Sequence, residues 1–346
     1  MIDIVKGNIL KCDAEALVNT VNTQGVMGKG IALQFSKAYP AMFTDYSRAY
    51  KNGELAIGVM HVFETQLLHN PKYIINFPTK AEWRKPSKQV YIEEGLKDLL
   101  RVVAEKNISS IAIPPLGCGL GGLRWPVVRE LIEFAFSGLP NVQVWLFEPG
   151  ETPSAQQMVN NTARPKLTVN AATILLALRN YSVAGYESSW LEVQKLLYFL
   201  QISGQKLNLS YEKGRYGPYA DNLRHLMNRL ENHYLTGFGD GTVSPMTQIR
   251  LLPGAADEAA AFLEQSKQND SSALNKVTSL IDGFESPYGL ELLATVHWLI
   301  DREAVNKSDF PAVVKAVHSW NKRKAAIMKP EHIRIALQRL SEQAWV

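Results

Sequence analysis

Cysteine is nearly missing from this chain: Cys12 and Cys118 are the only two among 346 residues. They stand in different segments with no zinc-ligand spacing, which excludes a disulfide framework and a structural zinc site and fits a reducing compartment. Long apolar runs are missing as well. Stretches such as Ile174 to Leu178 and Ser110 to Leu116 fall far short of the roughly 20 residues that cross a bilayer. Met1 leads straight into a strand-like segment instead of a basic and then apolar leader, so the expectation is a cytoplasmic protein with no membrane partner. Charge of one sign is scarce too: the net +4 is too small to announce a polyanion partner by itself. The seven histidines show no metal-ligand spacing, and neither a metal nor a cofactor is expected. What is plentiful is apolar residue, at 46%, enough to exclude a disordered chain.

The length predicts two domains. From Met1 to Pro149, short β-rich runs alternate with longer amphipathic ones, the pattern of a layered α/β domain. The predicted strands are Asp3 to Val5, Ala16 to Thr20, Gly58 to Phe63, Tyr73 to Phe77, Ser110 to Ile113 and Val142 to Phe147. Helices are predicted over Gly30 to Tyr39, Pro40 to Asn52, Gln89 to Lys106 and Trp125 to Phe136, giving a sheet with helices on both faces. Pro149 to Pro165, rich in Pro, Ser, Thr and Asn, reads as a linker. Beyond it the periodicity is helical, with segments that include Ala220 to Tyr234 and Phe310 to Lys324. Thr242 to Leu252 alone is read as a source of strands. The expected division is residues 1–152, a linker over 153–166, and a mainly helical domain over 167–346.

Three polar or glycine-rich segments follow predicted strands, where open α/β sheets hold their ligands. They are Asn19 to Asn22, Gly25 to Gly30 and Pro114 to Gly122. Glycines let bare backbone amides approach an anion, and a helix N-terminus adds about half a positive charge. Each glycine-rich loop taken alone reads first as a tight turn, and the two together as a cradle. Neither fits a Walker pattern, and Gly28-x-Gly30 does not extend to the dinucleotide signature, so a nucleotide diphosphate held without metal is the expected ligand. The stretch Lys80, Arg84, Lys85 and Lys88 reads as a phosphate-backbone contact or as a solvated loop, and Trp83 as a base-stacking platform or a loop anchor.

The order GNIL, NTVNTQGVMGKGIALQF, INFPTK and PPLGCGLGGL resembles a macro domain. It is similar to the branch containing the bacterial antitoxin DarG, partner of the toxin DarT, and the eukaryotic terminal ADP-ribose glycohydrolase. That resemblance implies a three-layer α/β macro domain with a mixed sheet, followed by the helical domain, and ADP-ribose as ligand. It implies adenine recognition at Asn8 and Ile9, and substrate contacts at Thr20 and, toward the distal ribose, Asn22. It also implies a diphosphate wrapped by Gly28, Lys29 and Gly30 with Gly117, Cys118, Gly119, Leu120 and Gly121. Lys80 matches the catalytic lysine of the branch, acting as an attacking amine or as a charge that steadies the leaving group.

Two departures stand out. Many macro domains have an aspartate where this chain has Asn8, so a weaker grip on adenine is expected. The eukaryotic relative has an acid where this chain has Gly121, so the acid that would assist sugar opening is missing. The resemblance further implies ADP-ribosylated single-stranded DNA as substrate and a cognate DarT-like ADP-ribosyltransferase toxin as partner. Competing readings are a non-catalytic ADP-ribose reader, an antitoxin acting mainly by sequestration, and a phosphatase on ADP-ribose phosphate. In the second half, KLLYFLQ (Lys195 to Gln201) and RYGPY (Arg215 to Tyr219) are similar to SocA-like antitoxin domains, which implies toxin docking through 167–346. The same residues read equally as a buried helix face and a Gly-Pro turn. Mimicry of DNA would have to come from local acids such as Asp257, Glu258 and Glu264, because acidic and basic residues nearly balance there.

Overall fold

Alternation of strand-like and helical patterning in the first half produces a six-stranded mixed sheet between two helix layers. The computed structural model describes every residue except 151, 183–186 and 267–271, so Glu151 of the expected linker lies outside the described residues. The chain forms two units: Met1–Ala163 with the tripeptide Asp240–Thr242, and Arg164–Gly239 with Val243–Val346.

In the first unit the strands are β1 (Ile2–Val5), β2 (Ala16–Asn22), β3 (His61–Glu64), β4 (Tyr73–Lys80), β5 (Ser110–Ile113) and β6 (Gln143–Phe147). They lie in the order β1-β6-β5-β2-β4-β3, parallel throughout except for β3 against β4. Helices α1 (Gly30–Ala38) and α2 (Pro40–Lys51) cover one face, where Phe35, Met42 and Tyr46 meet Leu17, Val21 and Ile74. Helices α3 (Gln89–Glu105) and α4 (Trp125–Phe136) cover the other, where Leu96, Leu99 and Ile132 meet Val18, Ile75 and Ile111. Residues 17, 18, 74 and 75 alternate between faces, the period-two pattern of a strand covered on both sides. Proline starts α2 and sits in the first turn of α4, where its missing N–H costs nothing.

Strand β4 outruns the predicted Tyr73 to Phe77 and continues through Pro78 to Lys80. Its register against β2 jumps from Val21↔Pro78 to Asn22↔Lys80, leaving Thr79 as an extra residue. Proline is tolerated in a strand beside such a bulge, which is why the pattern concealed the extension. The expected linker is partly anchored: the Asn161 amide nitrogen donates to Lys37 O at 2.9 Å and its side chain to Ala38 O at 2.8 Å.

The second unit is mainly helical: α5 (Val169–Tyr181), α6 (Trp190–Ile202), α7 (Leu223–Leu230), α8 (Ala255–Gln265), α9 (Ser272–Ile281), α10 (Pro287–Asp301), α11 (Phe310–Trp320), α12 (Lys322–Ile327) and α13 (Pro330–Glu342). Helices α5, α6 and α10 are buried nearly all round and form its centre, with a capping box of Ser189 and Glu192 opening α6. Short strands are β7 (Ser188–Ser189), β8 (Tyr211–Gly214), β9 (Gly217–Ala220), β10 (Leu235–Thr236) and β11 (Gln248–Leu251). The hairpin β8–β9 takes the start of the predicted Ala220 to Tyr234 helix, which shrinks to Leu223–Leu230. The predicted Phe310 to Lys324 helix breaks at Asn321, whose backbone is extended and whose side chain accepts from Lys324 N to cap α12. Among the described residues no helix is long and apolar enough to cross a membrane.

Candidate active site

Strands β2, β4 and β5 run parallel, so their carboxyl ends present three chain segments along one edge: 19–30, 80–87 and 114–122. These segments are bonded to one another. Thr23 N donates to Lys80 O at 3.0 Å and Thr23 Oγ1 to Ala81 O at 2.8 Å. Trp83 N donates to Gln24 Oε1 at 3.1 Å, and Ser87 N to Gly121 O at 3.0 Å. Lys80 Nζ donates to Leu120 O at 2.6 Å and so links β4 to the third segment.

Within the first segment Asn22 organises its own loop. Its Oδ1 accepts from Gln24 N at 2.8 Å and its Nδ2 donates to Val26 O at 2.5 Å, while Tyr46 donates to its carbonyl. Gly25 has φ +70°, and a Cβ there would lie 2.7 Å from the Tyr50 ring. The amides of Met27, Gly28 and Lys29 have no acceptor among the described residues. The Gly30 amide, expected to face a diphosphate, donates instead to Asp240 O at 2.9 Å, and Gln34 Nε2 donates to Asp240 Oδ2 at 3.0 Å.

The third segment holds itself open by internal turns: Cys118 N to Pro115 O, Gly122 N to Gly119 O and Leu123 N to Gly117 O. The amides of Gly119, Leu120 and Gly121 are left without an acceptor among the described residues. Gly117 has φ +70°. A Cβ at Gly121 would lie 2.3 Å from both Gly117 O and Ser87 Oγ, so this backbone admits only glycine there. The Cys118 thiol donates to Leu116 O at 3.5 Å, and burial raises its pKa to about 11, which keeps it protonated and unreactive at neutral pH. Two rows of unsatisfied amides therefore line neighbouring loops, Gly30 standing next to the Leu120 side chain. Such a concavity of N–H groups is an anion-binding arrangement.

Lys80 is partly buried, and that burial lowers its pKa from the usual lysine range. Its ammonium has a carbonyl partner and no carboxylate among the described residues. Asn8 caps the short 3-10 turn Ile9–Lys11 by accepting from Leu10 N at 3.0 Å. Its oxygen, expected to meet adenine, is thus already engaged, and its Nδ2 is the buried group without a partner. Ile9 is buried beside it, and Thr20 is half-buried on β2 opposite Phe77. Trp83 is 39% exposed, with the Arg84 guanidinium 4.5 Å from its ring centre.

A polar chain beneath the first segment escaped the sequence reading, which gave histidine no part. Asn19 Nδ2 donates to Asn76 Oδ1 at 2.8 Å, Asn76 Nδ2 lies 3.0 Å from His61 Nδ1, and His61 Nε2 lies 3.1 Å from Asp45 Oδ2. Because Asn76 donates to Nδ1, the imidazole is neutral with its proton on Nε2. Burial lowers its pKa more strongly than Asp45 raises it. The available signal was an asparagine directly after each of the apolar runs 16–18 and 74–75, both asparagines fully buried.

The model of the Macro domain family matches residues 18–132. Over 340 residues the chain is 46% identical to a DNA ADP-ribosyl glycohydrolase of Thermus aquaticus, covering 98% of this chain and 93% of that protein. It is 31% identical over 146 residues to a DNA ADP-ribosyl transferase-DNA ADP-ribosyl glycohydrolase fusion protein of Thermosipho africanus, covering 38% of each. The solved macrodomain of Mycobacterium tuberculosis DarG shares 55% identity over 43% of this chain and 99% of its own, with a TM-score of 0.43.

Proposed function

The chain belongs to the DNA ADP-ribosyl glycohydrolases, hydrolases carrying a macro domain, and from that membership we propose that it strips ADP-ribose from thymidine in single-stranded DNA, with Lys80 as the catalytic residue. In this reading the adenine lies at Asn8 and Ile9. The diphosphate lies between the amides of Met27 to Lys29 and those of Gly119 to Gly121, helped by the positive end of α1. Thr20 and Asn22 border the distal ribose.

Hydrolysis breaks the bond between the anomeric carbon and the thymine ring nitrogen. The electron pair leaves with the base, water supplies hydroxide to the carbon, and the remaining proton ends on the ring nitrogen. An ammonium beside the distal ribose lowers the cost of that departing negative charge. Attack by a neutral Lys80 amine would need an opened sugar and an acid to open it. Position 121, where the eukaryotic relative has its acid, has no room for a side chain, so the ammonium role is the one proposed. The observation carrying the reading is the Lys80 Nζ contact with Leu120 O, which sets the cation among the unsatisfied amides.

We assign to residues 167–346 the binding of a cognate DarT-like transferase toxin, and to the whole protein an antitoxin role in the cytoplasm, where its DNA substrate is. The fusion of transferase and glycohydrolase in the Thermosipho relative supports a shared task. Mimicry of DNA is not part of the proposal: Glu258 pairs with Arg164 at 2.6 Å and Asp257 lies 3.9 Å from Arg179. Incubating the protein with a thymidine-ADP-ribosylated oligonucleotide should yield free ADP-ribose and the unmodified strand by chromatography. Recovery of the modified strand intact would contradict the proposal.

A further inference from the structure

A basic cleft in the helical unit uses none of the residues assigned to ADP-ribose. The tip of the β8–β9 hairpin and the junction of α11 with α12 border an open cleft of about 670 Å³ whose lining includes Lys213, Arg215, Lys322 and Arg323, together with Trp320, and no carboxylate. Its walls are bonded to each other. Trp320 Nε1 donates to Gly214 O at 2.9 Å, and Asn321 Nδ2 donates to Arg215 O at 3.0 Å. The break at Asn321 that splits the predicted helix is thus what shapes the cleft.

The cations are not equivalent. Lys213 is paired with Glu303 at 2.9 Å and lies 4.4 Å from the Trp320 ring centre. Arg323 is paired at 2.6 Å with the buried Glu291, which also holds Lys324. Arg215 and Lys322 have no acidic partner among the described residues, and neither has an unprinted one. The cleft therefore carries two cations, Arg215 and Lys322, that no carboxylate among the described residues offsets. The guanidinium groups of Arg215 and Arg323 both lie against the Tyr216 ring, at 5.5 and 4.8 Å. Stacking on an aromatic face fixes the plane of a guanidinium and turns its N–H fork toward an incoming oxyanion. Cations interleaved with aromatic rings in a concave groove are what a flexible phosphodiester strand requires.

We propose that this cleft binds the backbone of single-stranded DNA, with Arg215 and Lys322 contacting phosphates. The test is fluorescence anisotropy of the full chain with labelled, unmodified oligodeoxythymidylate across a salt series. Replacing both Arg215 and Lys322 by Ala should weaken binding about tenfold and flatten the slope of log affinity against log salt by about 1.4, two lost phosphate contacts on a single strand. Lys307→Ala, an exposed lysine that does not line the cleft, should leave both unchanged. If the double variant melts early, Lys322→Gln alone carries the test with about half that slope change. An unaltered affinity and slope would overturn the proposal. So would polyglutamate binding with the same sensitivity to Arg215 and Lys322, which would reassign the cleft to an acidic protein. The readout needs no glycohydrolase activity and so stands or falls apart from the assignment of Lys80.

Discussion

Lys80 owes its position to one extra residue. Without the bulge at Thr79, the pairing after Val21↔Pro78 would set Asn22 against Thr79, and the lysine would miss both Asn22 and Leu120 O. The glycines of the two loops were legible because residues without a side chain after strands have a small set of uses. The engagement of the Gly30 amide and of both Asn22 side-chain groups was not, because spacing says nothing of which acceptor a loop atom finds. Two substitutions test the ligand's placement. Asn8→Asp keeps an oxygen to cap Leu10 N, removes the orphaned Nδ2 and adds charge, so calorimetry should show ADP-ribose binding several-fold tighter. Unchanged or weaker binding would argue against adenine at this position. Gly121→Glu, which would put an acid where the eukaryotic relative has one, meets Gly117 O at the first carbon. It should lose more than tenfold in ADP-ribose affinity and lower the melting temperature; a variant that binds normally would show the loop to be more pliant than described.

Among the elements, those of the first half were readable from periodicity because strands buried on both faces and amphipathic helices leave unlike patterns. The hairpin β8–β9 was hidden by its composition: RYGPY reads as a turn, and the four-residue strands are too short to show alternation. Helix α10 carries a titration that no pattern displays. His297 is buried, its Nδ1 is 2.7 Å from the Tyr198 hydroxyl, and burial pushes its pKa down to about 4. A histidine depressed on folding contributes stability that is fully present above its unfolded value near 6.5 and is lost as pH falls toward about 4. The stability of the helical unit should therefore fall by about 3 kcal/mol over that window, and that of His297→Gln visibly less. Equal pH slopes in the two proteins would refute the account. His61 follows the same sign, its pKa lowered by burial within the Asp45–His61–Asn76–Asn19 chain. His61→Leu should weaken ADP-ribose binding by loosening the floor beneath Met27, which Asn19 Nδ2 approaches at 3.9 Å to sulfur. Full affinity in that variant would make the chain a matter of stability alone.

At the scale of the whole molecule, the macro domain announced itself through four motifs in a fixed order and spacing along the chain. The helical half gave weaker signals, since buried Leu, Tyr and Phe faces serve any helical core. Its basic cleft was invisible because Lys213 and Arg215 stand far in sequence from Lys322 and Arg323, and the two runs meet only through folding. Truncation before residue 167, which also removes the Asp240 partner of Gly30 and Gln34, should still leave ADP-ribose release from modified DNA in place and abolish protection against the transferase toxin, read as survival of cells expressing both. Protection by the truncated chain at full strength would remove the toxin-binding role from the helical unit. Most direct is the comparison of Lys80→Ala with the unaltered protein on two readouts, calorimetric ADP-ribose binding and single-turnover release from thymidine-modified single-stranded DNA. The account predicts nearly equal binding and a release rate reduced at least a hundredfold; release at an undiminished rate would contradict it.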